Sequence, residues 1–120
     1  MQVYRLYTDA SGKSAFKKLE LHLERSGAEN YLSLRAPSGM TINQTDAGHQ
    51  YDWHNAPRRQ WVITLQGEIE VETRDGSKQR FGPGSILLAD DVSGSGHSTK
   101  VVSSTPWMCV YLPFDGEPNA

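Results

Sequence analysis

Side chains that can carry chemistry are concentrated in two short segments of the 120-residue chain. Residues 49–60 contain two of the four histidines, one aspartate and two arginines, and residues 90–97 begin with two aspartates and end with a histidine. Imidazole transfers protons and binds metals near neutral pH, whereas guanidinium forms a planar fork that pairs with carboxylate or phosphate. These residue types favour a small-molecule site that uses proton transfer, anion binding or a metal.

Strand periodicity makes specific predictions for the first segment. Asp52 lies two residues before His54, so a regular strand would place both on one face. His49 is five residues from His54 and would face the other way, unless residues 48–51 form a loop. We therefore expect Asp52, and His49 if the chain is looped, to act as acid–base groups beside His54. The alternative is that Asp52 and the histidines are only solvated or hydrogen-bonded, which is the expectation for His22 in its charged segment.

The remaining polar and aromatic residues of the two segments each have two interpretations. Arg58 and Arg59 follow a proline in a predicted bend, where one of them could bind a ligand carboxylate or phosphate, or both could be a solvated turn. Tyr51 and Trp53 could line a pocket, or belong to a core or a dimer interface. Asp91 could hold the nearby histidine in orientation or could cap its own turn, and the sequence weights these equally.

Several function classes are excluded by composition and motif. The formal net charge is −2, and the only basic cluster is Arg58-Arg59, so the basic surface that nucleic-acid binding needs is absent. The sequence contains no phosphate-binding glycine loop, no Cys-x-x-Cys pair and no nucleophile-elbow serine. The single cysteine, Cys109, lies in a strand-like run and is expected to be a buried apolar side chain. With no apolar run near the ~20 residues of a membrane helix and no apolar signal core in residues 1–10, we expect a soluble, cytoplasmic protein.

The elements that must position these residues are short strands separated by turns. An Asp-Gly hairpin turn is predicted at 74–77, with Asp-Gly supplying the positive φ values, and a Gly-Pro-Gly turn at 82–84. Eight to ten strands with no convincing amphipathic helix predict an all-β sandwich or barrel. We expect one domain over 1–120, with its core at roughly 15–113 and a polar tail at 114–120. The predicted strands are 15–24, 31–35, 40–45, 61–65, 68–73, 78–81, 86–89, 98–102 and 107–112.

The spacing from Gly48 to Gly67 resembles the first conserved motif of the cupins. That motif reads Gly, five residues, His, one residue, His, three or four residues, Glu, six residues, Gly. In this chain Gly48 and Gly67 frame the motif in register and His54 matches its first histidine, whereas Ala56 replaces the second histidine and Gln60 replaces the glutamate.

The second cupin motif is present in outline. Phe81-Gly-Pro-Gly84, followed by the apolar run at 85–89, is similar to the turn and strand that precede the family's last metal histidine. His97, which follows Gly96 after a short loop, matches that histidine. The resemblance implies an all-β, cupin-type (jelly-roll) double-stranded β-barrel as a single domain.

The resemblance also implies a ligand set and a function. His54, Gln60 and His97 would bind a divalent transition metal (Mn, Fe, Ni or Zn), weakly because one carboxylate and one imidazole are missing. The chain would then be a metal-dependent small-molecule enzyme of isomerase, lyase or oxygenase type, with Asp52, His49 or Asp91 moving protons. The alternative is a metal-free barrel that binds or senses a small polar or anionic ligand. A homodimer is expected from the same resemblance, and neither nucleic acid nor membrane is an expected partner.

Overall fold

The computed structural model describes residues 2–33 and 36–116, and the regular structure within them consists of strands. No helix within those residues is long and apolar enough to cross a membrane. The strands are β1 (Val3–Thr8), β2 (Ser14–Lys18), β3 (Glu24–Ser26), β4 (Glu29–Tyr31), β5 (Thr41–Thr45), β6 (Gln50–His54), β7 (Gln60–Gln66), β8 (Ile69–Thr73), β9 (Lys78–Phe81), β10 (Ile86–Asp90), β11 (His97–Val101) and β12 (Trp107–Pro113).

These strands form two facing sheets and one separate hairpin. The larger sheet has six strands in the order β2-β1-β10-β7-β12-β5, and the smaller has four in the order β6-β11-β8-β9. β3 and β4 pair only with each other. β1 runs parallel to β10, whereas the other pairings are antiparallel. Strands from both ends of the chain therefore build the same sheet.

The main core lies between the two sheets. Ile69 and Val71 of β8 are buried from one side, and Val62 and Leu87 of β7 and β10 are buried from the other. Alternation explains this arrangement, because every second residue of β8 is buried while its glutamates stay partly exposed. The facing apolar rows pack the two sheets against each other, as in other proteins built from two stacked sheets.

A second, smaller core covers the outer face of the six-stranded sheet. Trp61 and Leu88 are buried there with Val3 and Phe114, and Trp61 and Phe114 stack with ring centroids 6.2 Å apart. The chain that follows β2 packs Leu19 and other partly buried side chains against this cluster. β7 and β10 are therefore buried on both faces, and the core extends beyond the predicted 15–113 at both ends.

The predicted strands in the middle and at the end of the chain are confirmed to within about two residues, as expected for element boundaries. The prediction of one strand over 15–24 is wrong: β2 ends at Lys18, after which the chain covers the outer core. The strand predicted at 31–35 is also wrong where it can be compared, since β4 ends at Tyr31. Residues 34–35, and 117–120 of the predicted tail, lie outside the described residues.

Strand β1 was not predicted, and its burial explains why. Val3 belongs to the outer core and Leu6 to the inner core, so the strand buries side chains on both faces. A strand of this kind shows no alternation of apolar and polar residues. The sequence did not decide between strand and loop for the region of β6. The short β3–β4 hairpin is exposed and has no apolar pattern that would predict it.

Two turns show what the glycines of the motifs do. Gly67 has φ +77°, and a Cβ at this position would lie 2.5 Å from the main-chain oxygen of Pro106. In the predicted Asp-Gly hairpin turn only Gly76 has positive φ, so the prediction that both residues do is wrong. The side chain of Asp75 stabilises this turn by accepting a hydrogen bond from Thr73 Oγ1 at 2.6 Å, and this hydrogen bond lowers the pKa of the Asp75 carboxyl.

Cys109 is buried in β12, as predicted. Burial raises the pKa of its thiol, which disfavours the reactive thiolate. Cys109 therefore contributes to the core as a small apolar side chain.

Candidate functional site

A cavity of about 460 Å³ opens between the two sheets. Its buried apolar wall comes from both sheets and includes Val62, Ile69, Val71, Leu87 and Trp107. Its polar wall comprises Tyr51, His54, Arg58, Gln60, His97 and Thr99. His54 and Arg58 line the cavity and are also exposed to solvent, so the cavity opens on their side.

His54 and His97 are paired across neighbouring strands. They occupy matching positions in β6 and β11, and their ring centroids are 4.5 Å apart. His54 Nδ1 lies 2.6 Å from the main-chain oxygen of Asp52. Because a carbonyl oxygen only accepts, this nitrogen carries the proton, and the Nε2 of neutral His54 is left as an acceptor.

Asp91 performs the orienting role for His97. Its Oδ2 lies 2.5 Å from His97 Nδ1 and accepts a second hydrogen bond from Ser14 Oγ, also at 2.5 Å. The Asp91 side chain is fully buried, and its Oδ1 has no hydrogen-bond partner among the described residues. The carboxylate therefore fixes the ring of His97 and leaves Nε2 as the nitrogen available to a ligand.

Two glycines hold the loop that connects Asp91 to His97. A Cβ on Gly96, which has φ +76°, would lie 2.6 Å from the main-chain oxygen of His54. A Cβ on Gly94 would overlap the main-chain oxygen of Gly12. The Gly-His pair of the second motif is therefore a packing requirement, because only glycine lets the loop approach His54 closely enough to pair the two imidazoles.

Gln60, which starts β7, is 9% exposed and lines the cavity. Its side chain makes no hydrogen bond to another residue within 2–33 and 36–116. Its predicted inward direction, shared with Val62 and Thr64 at alternate positions, agrees with their burial. The amide is thus available to a molecule that enters the cavity.

A bulge in β6 corrects the prediction for Asp52. His54 pairs with His97 and Tyr51 with Thr99, so β6 contains one more residue than β11 between these pairs. A bulge of this kind reverses the alternation of faces. Tyr51 consequently shares the cavity wall with His54, whereas Asp52 is exposed and its Oδ1 accepts from the Trp53 amide.

The other predicted acid–base residue of this segment is also outside the cavity. His49 is exposed in the turn before β6, and its ring contacts the edge of Tyr51 at a centroid distance of 4.7 Å. Trp53, predicted as a possible pocket wall, lies on the other face of β6 under the guanidinium of Arg74 at 4.0 Å. Of the predicted wall residues, Tyr51 lines the cavity and Trp53 does not.

The two adjacent arginines have different positions. Arg59 Nε lies 2.5 Å from Asp90 Oδ1, and the same carboxylate pairs with Arg5. Arg58 instead lines the cavity, and no ion pair joins it to the described part of the chain. Arg59 is thus engaged in a partly buried ion pair, which neither interpretation predicted. Arg58 lines the cavity, as the ligand-binding interpretation requires.

Tyr111 of β12 lines the cavity and was missed by the sequence reasoning. Burial is the main cause that raises the pKa of its phenol, so the group stays protonated and able to donate a hydrogen bond. Thr99 was also missed. The alternation of Thr99 with His97, and of Tyr111 with Cys109 and Trp107, would have indicated both residues.

The donor set can be compared with what a transition metal needs. His54 and His97 present Nε2 and Gln60 presents an amide, all neutral donors, and Ala56 contributes none. Among residues 2–33 and 36–116 no three His, Cys, Asp or Glu side chains are grouped so that they could hold a metal ion. The residues present fit only a weakly held ion.

Searches with protein-family models and among curated proteins give no match for this sequence. Solved structures do match. A Cupin 2 conserved barrel domain protein from Salinispora arenicola is 16% identical with a TM-score of 0.52, over 64% of this chain and 62% of that chain. A cupin domain from Bordetella pertussis is 17% identical with a TM-score of 0.51, over 70% of this chain and 91% of that chain.

A protein with a double-stranded beta-helix domain from Klebsiella pneumoniae gives the same result, at 18% identity and a TM-score of 0.50, over 80% of this chain and 87% of that chain. The matched region spans 62% of the Salinispora protein, just under two thirds of its length. The chain has the jelly-roll fold of the cupins, and the prediction from the two motifs is confirmed. At these identities the likeness establishes the fold, and activity has to be argued from the site.

Proposed function

We propose that this protein binds a small organic molecule between its two sheets and contacts the polar end of that molecule with His54, Gln60 and His97. The observation that carries this proposal is the cavity of about 460 Å³ into which all three side chains face. Small-molecule sites typically measure roughly 300–1,000 Å³ and combine apolar walls with a few convergent polar groups. This cavity has both properties.

The polar groups of the cavity support a bound ligand on energetic grounds. Gln60 is nine-tenths buried and makes no side-chain hydrogen bond within the described chain, but its amide atoms still face the cavity. A ligand that bonds to this amide satisfies it while the apolar part of the ligand excludes solvent from the cavity, where an unpaired amide would cost on the order of 1–3 kcal/mol. The free Nε2 atoms of His54 and His97 then accept hydrogen bonds from the same polar end, or receive a proton that it gives up.

Metal-dependent catalysis is the second candidate, and the orientation of the histidines favours it. Both rings use Nδ1 for a hydrogen bond to an oxygen atom, which is the arrangement in which imidazole binds metals through Nε2. His54, His97 and Gln60 would hold the ion, and a bound Mn, Fe, Ni or Zn would polarise a ligand oxygen. With three neutral donors the affinity would be low.

The binding proposal is tested by filling the cavity. We expect saturation-transfer NMR with a mixed fragment library to detect binders of the wild-type protein, and Ala89→Leu to abolish their binding because Ala89 lines the cavity at 7% exposure. Ala10→Leu makes the same change at an exposed turn and should leave binding intact. If Ala89→Leu fails to fold, Ala56→Leu replaces it. Fragments that bind the filled variant as well as the wild type, or no binder at all, would contradict the proposal.

The metal candidate has its own test. If this candidate is right, protein purified without an affinity tag and supplemented with Mn, Fe, Ni or Zn should retain one of these ions in elemental analysis, and both His54→Ala and His97→Ala should lose it. His49→Ala is the matched control, because His49 is exposed and lies outside the cavity. A protein that stays metal-free after supplementation with all four ions excludes this candidate and leaves the binding proposal intact.

A further inference from the structure

The charges around the cavity are of one sign. Among the lining residues within 2–33 and 36–116 there is one arginine and no aspartate or glutamate. The two carboxylates nearest in sequence to His97 are already engaged, Asp91 by His97 and Ser14, and Asp90 by two arginines. A cationic ligand would meet no counter-charge in this cavity, whereas an anionic one would.

Arg58 is the cation that supplies this counter-charge. Its neighbour Arg59 is held by Asp90, and the exposed Arg80 pairs with Glu68 and Glu70. Arg58 has no such partner in the described chain, and it lines the opening of the cavity. Its planar fork is therefore available to bind two oxygen atoms of one ligand group.

The apolar part of the cavity wall determines the chemical nature of the remainder of the ligand. Beyond the polar groups, the cavity is bounded by aliphatic and aromatic side chains of both sheets, among them Val62, Leu87 and Trp107. A single guanidinium matches one negative charge, and a phosphate monoester would bring close to two. The apolar wall requires a ligand whose body is hydrophobic.

We infer that the ligand is a monocarboxylate with an apolar body and that Arg58 binds its carboxylate. This inference rests on the proposed binding function and specifies its ligand class. The Gln60 amide donates a hydrogen bond to the same carboxylate, and a histidine bonds to it through Nε2 only when that ring carries a second proton, because two acceptors form no hydrogen bond. The hydrophobic body lies against Val62, Leu87 and Trp107.

The test compares three probes that share one apolar ring: cyclohexanecarboxylate, cyclohexanecarboxamide and cyclohexyl phosphate, measured by isothermal titration calorimetry at pH 7.5. We expect the carboxylate to bind the wild type about tenfold or more tightly than the amide, because charge-assisted pairs are roughly twice as strong as neutral ones. We expect the same margin over the phosphate, because its second negative charge would be desolvated in the cavity without a second cation. Arg58→Gln should remove that preference by weakening carboxylate binding far more than amide binding. Arg80→Gln removes the same charge from an exposed position outside the cavity and should change neither.

Other outcomes separate this inference from the proposed function. Equal binding of carboxylate and amide to the wild type, or equal losses for both in Arg58→Gln, overturns the role of Arg58 while the cavity still binds ligands. Tighter binding of the phosphate overturns the choice of a monocarboxylate. A third outcome is that none of the three probes binds, although the fragment library contains neutral or cationic fragments whose binding is lost in Ala89→Leu. In that case the inference about the ligand is wrong and the proposed binding function stands. If no fragment binds either, both are wrong.

Discussion

His97 is the most firmly oriented polar group of the cavity, and the residue responsible is Asp91. One carboxylate oxygen of Asp91 accepts hydrogen bonds from both the Ser14 hydroxyl and the His97 ring nitrogen, while the other oxygen has no partner within residues 2–33 and 36–116. A buried oxygen without a partner is destabilising, so stability alone does not account for this arrangement. The orientation of an imidazole that lines the cavity does account for it.

Replacing Asp91 tests this role directly. We expect Asp91→Ala to release His97, so that long-range ¹H–¹⁵N NMR spectra show the proton moving from mainly Nδ1 to a mixture of Nδ1 and Nε2. The free energy of unfolding in urea should fall by about 1–3 kcal/mol, because the ring and the Ser14 hydroxyl lose a shared buried acceptor.

Asp46→Ala, at an exposed position, is the control for removal of one carboxylate and should leave the His97 spectrum unchanged. An unchanged His97 tautomer in Asp91→Ala would show that Asp91 does not orient the ring.

At the scale of strands and loops, the sequence predicted correctly that some side chains line the cavity and misplaced others, and both results have a physical reason. His54, Gln60 and His97 were predicted to converge, and all three line the cavity, because glycine spacing reports turns that only glycine can make. Asp52 was misplaced because the bulge in β6 contains neither glycine nor proline and so leaves no signal in the sequence. Tyr51 occupies the wall position that the regular alternation of a strand assigned to Asp52.

The loop before β11 provides a test at this scale. We expect Gly96→Ala to weaken fragment binding, because its Cβ would press against the main chain of His54 and separate the two imidazoles. Gly76→Ala is the matched control: it has a similar φ of +86°, and nothing lies within 4 Å of its added Cβ.

Both variants should lose stability in urea denaturation, each by about 1–2 kcal/mol for a side chain in the left-handed region, and Gly96→Ala should lose more because of the contact. Fragment binding that survives in Gly96→Ala would contradict the proposed function of this loop.

At the scale of the whole molecule, the site exists only when the sheets have closed. Ser14 and Asp91, which together hold His97, are 77 residues apart in sequence, and β6 reaches the cavity through its pairing with β11. No local segment assembles these groups, so the pattern of any one strand could not predict the contact between Ser14 and Asp91. An all-β sandwich or barrel could be predicted from the turn spacing, which is a property of the chain as a whole, and the jelly-roll fold from the resemblance of the two motifs to those of the cupins.

The bulge in β6 has a consequence for how such a site can change. Adding or removing one residue in a strand exchanges the side chains of its two faces and leaves the other strands in place. In β6 the present register places the phenol of Tyr51 in the cavity wall and the carboxylate of Asp52 outside the cavity. The opposite register would line the same wall with a negative charge, which would offset the positive charge of Arg58 and weaken the proposed preference for an anion. The proposed ligand preference of this barrel therefore depends on the length of one strand as well as on the residue types that line the cavity.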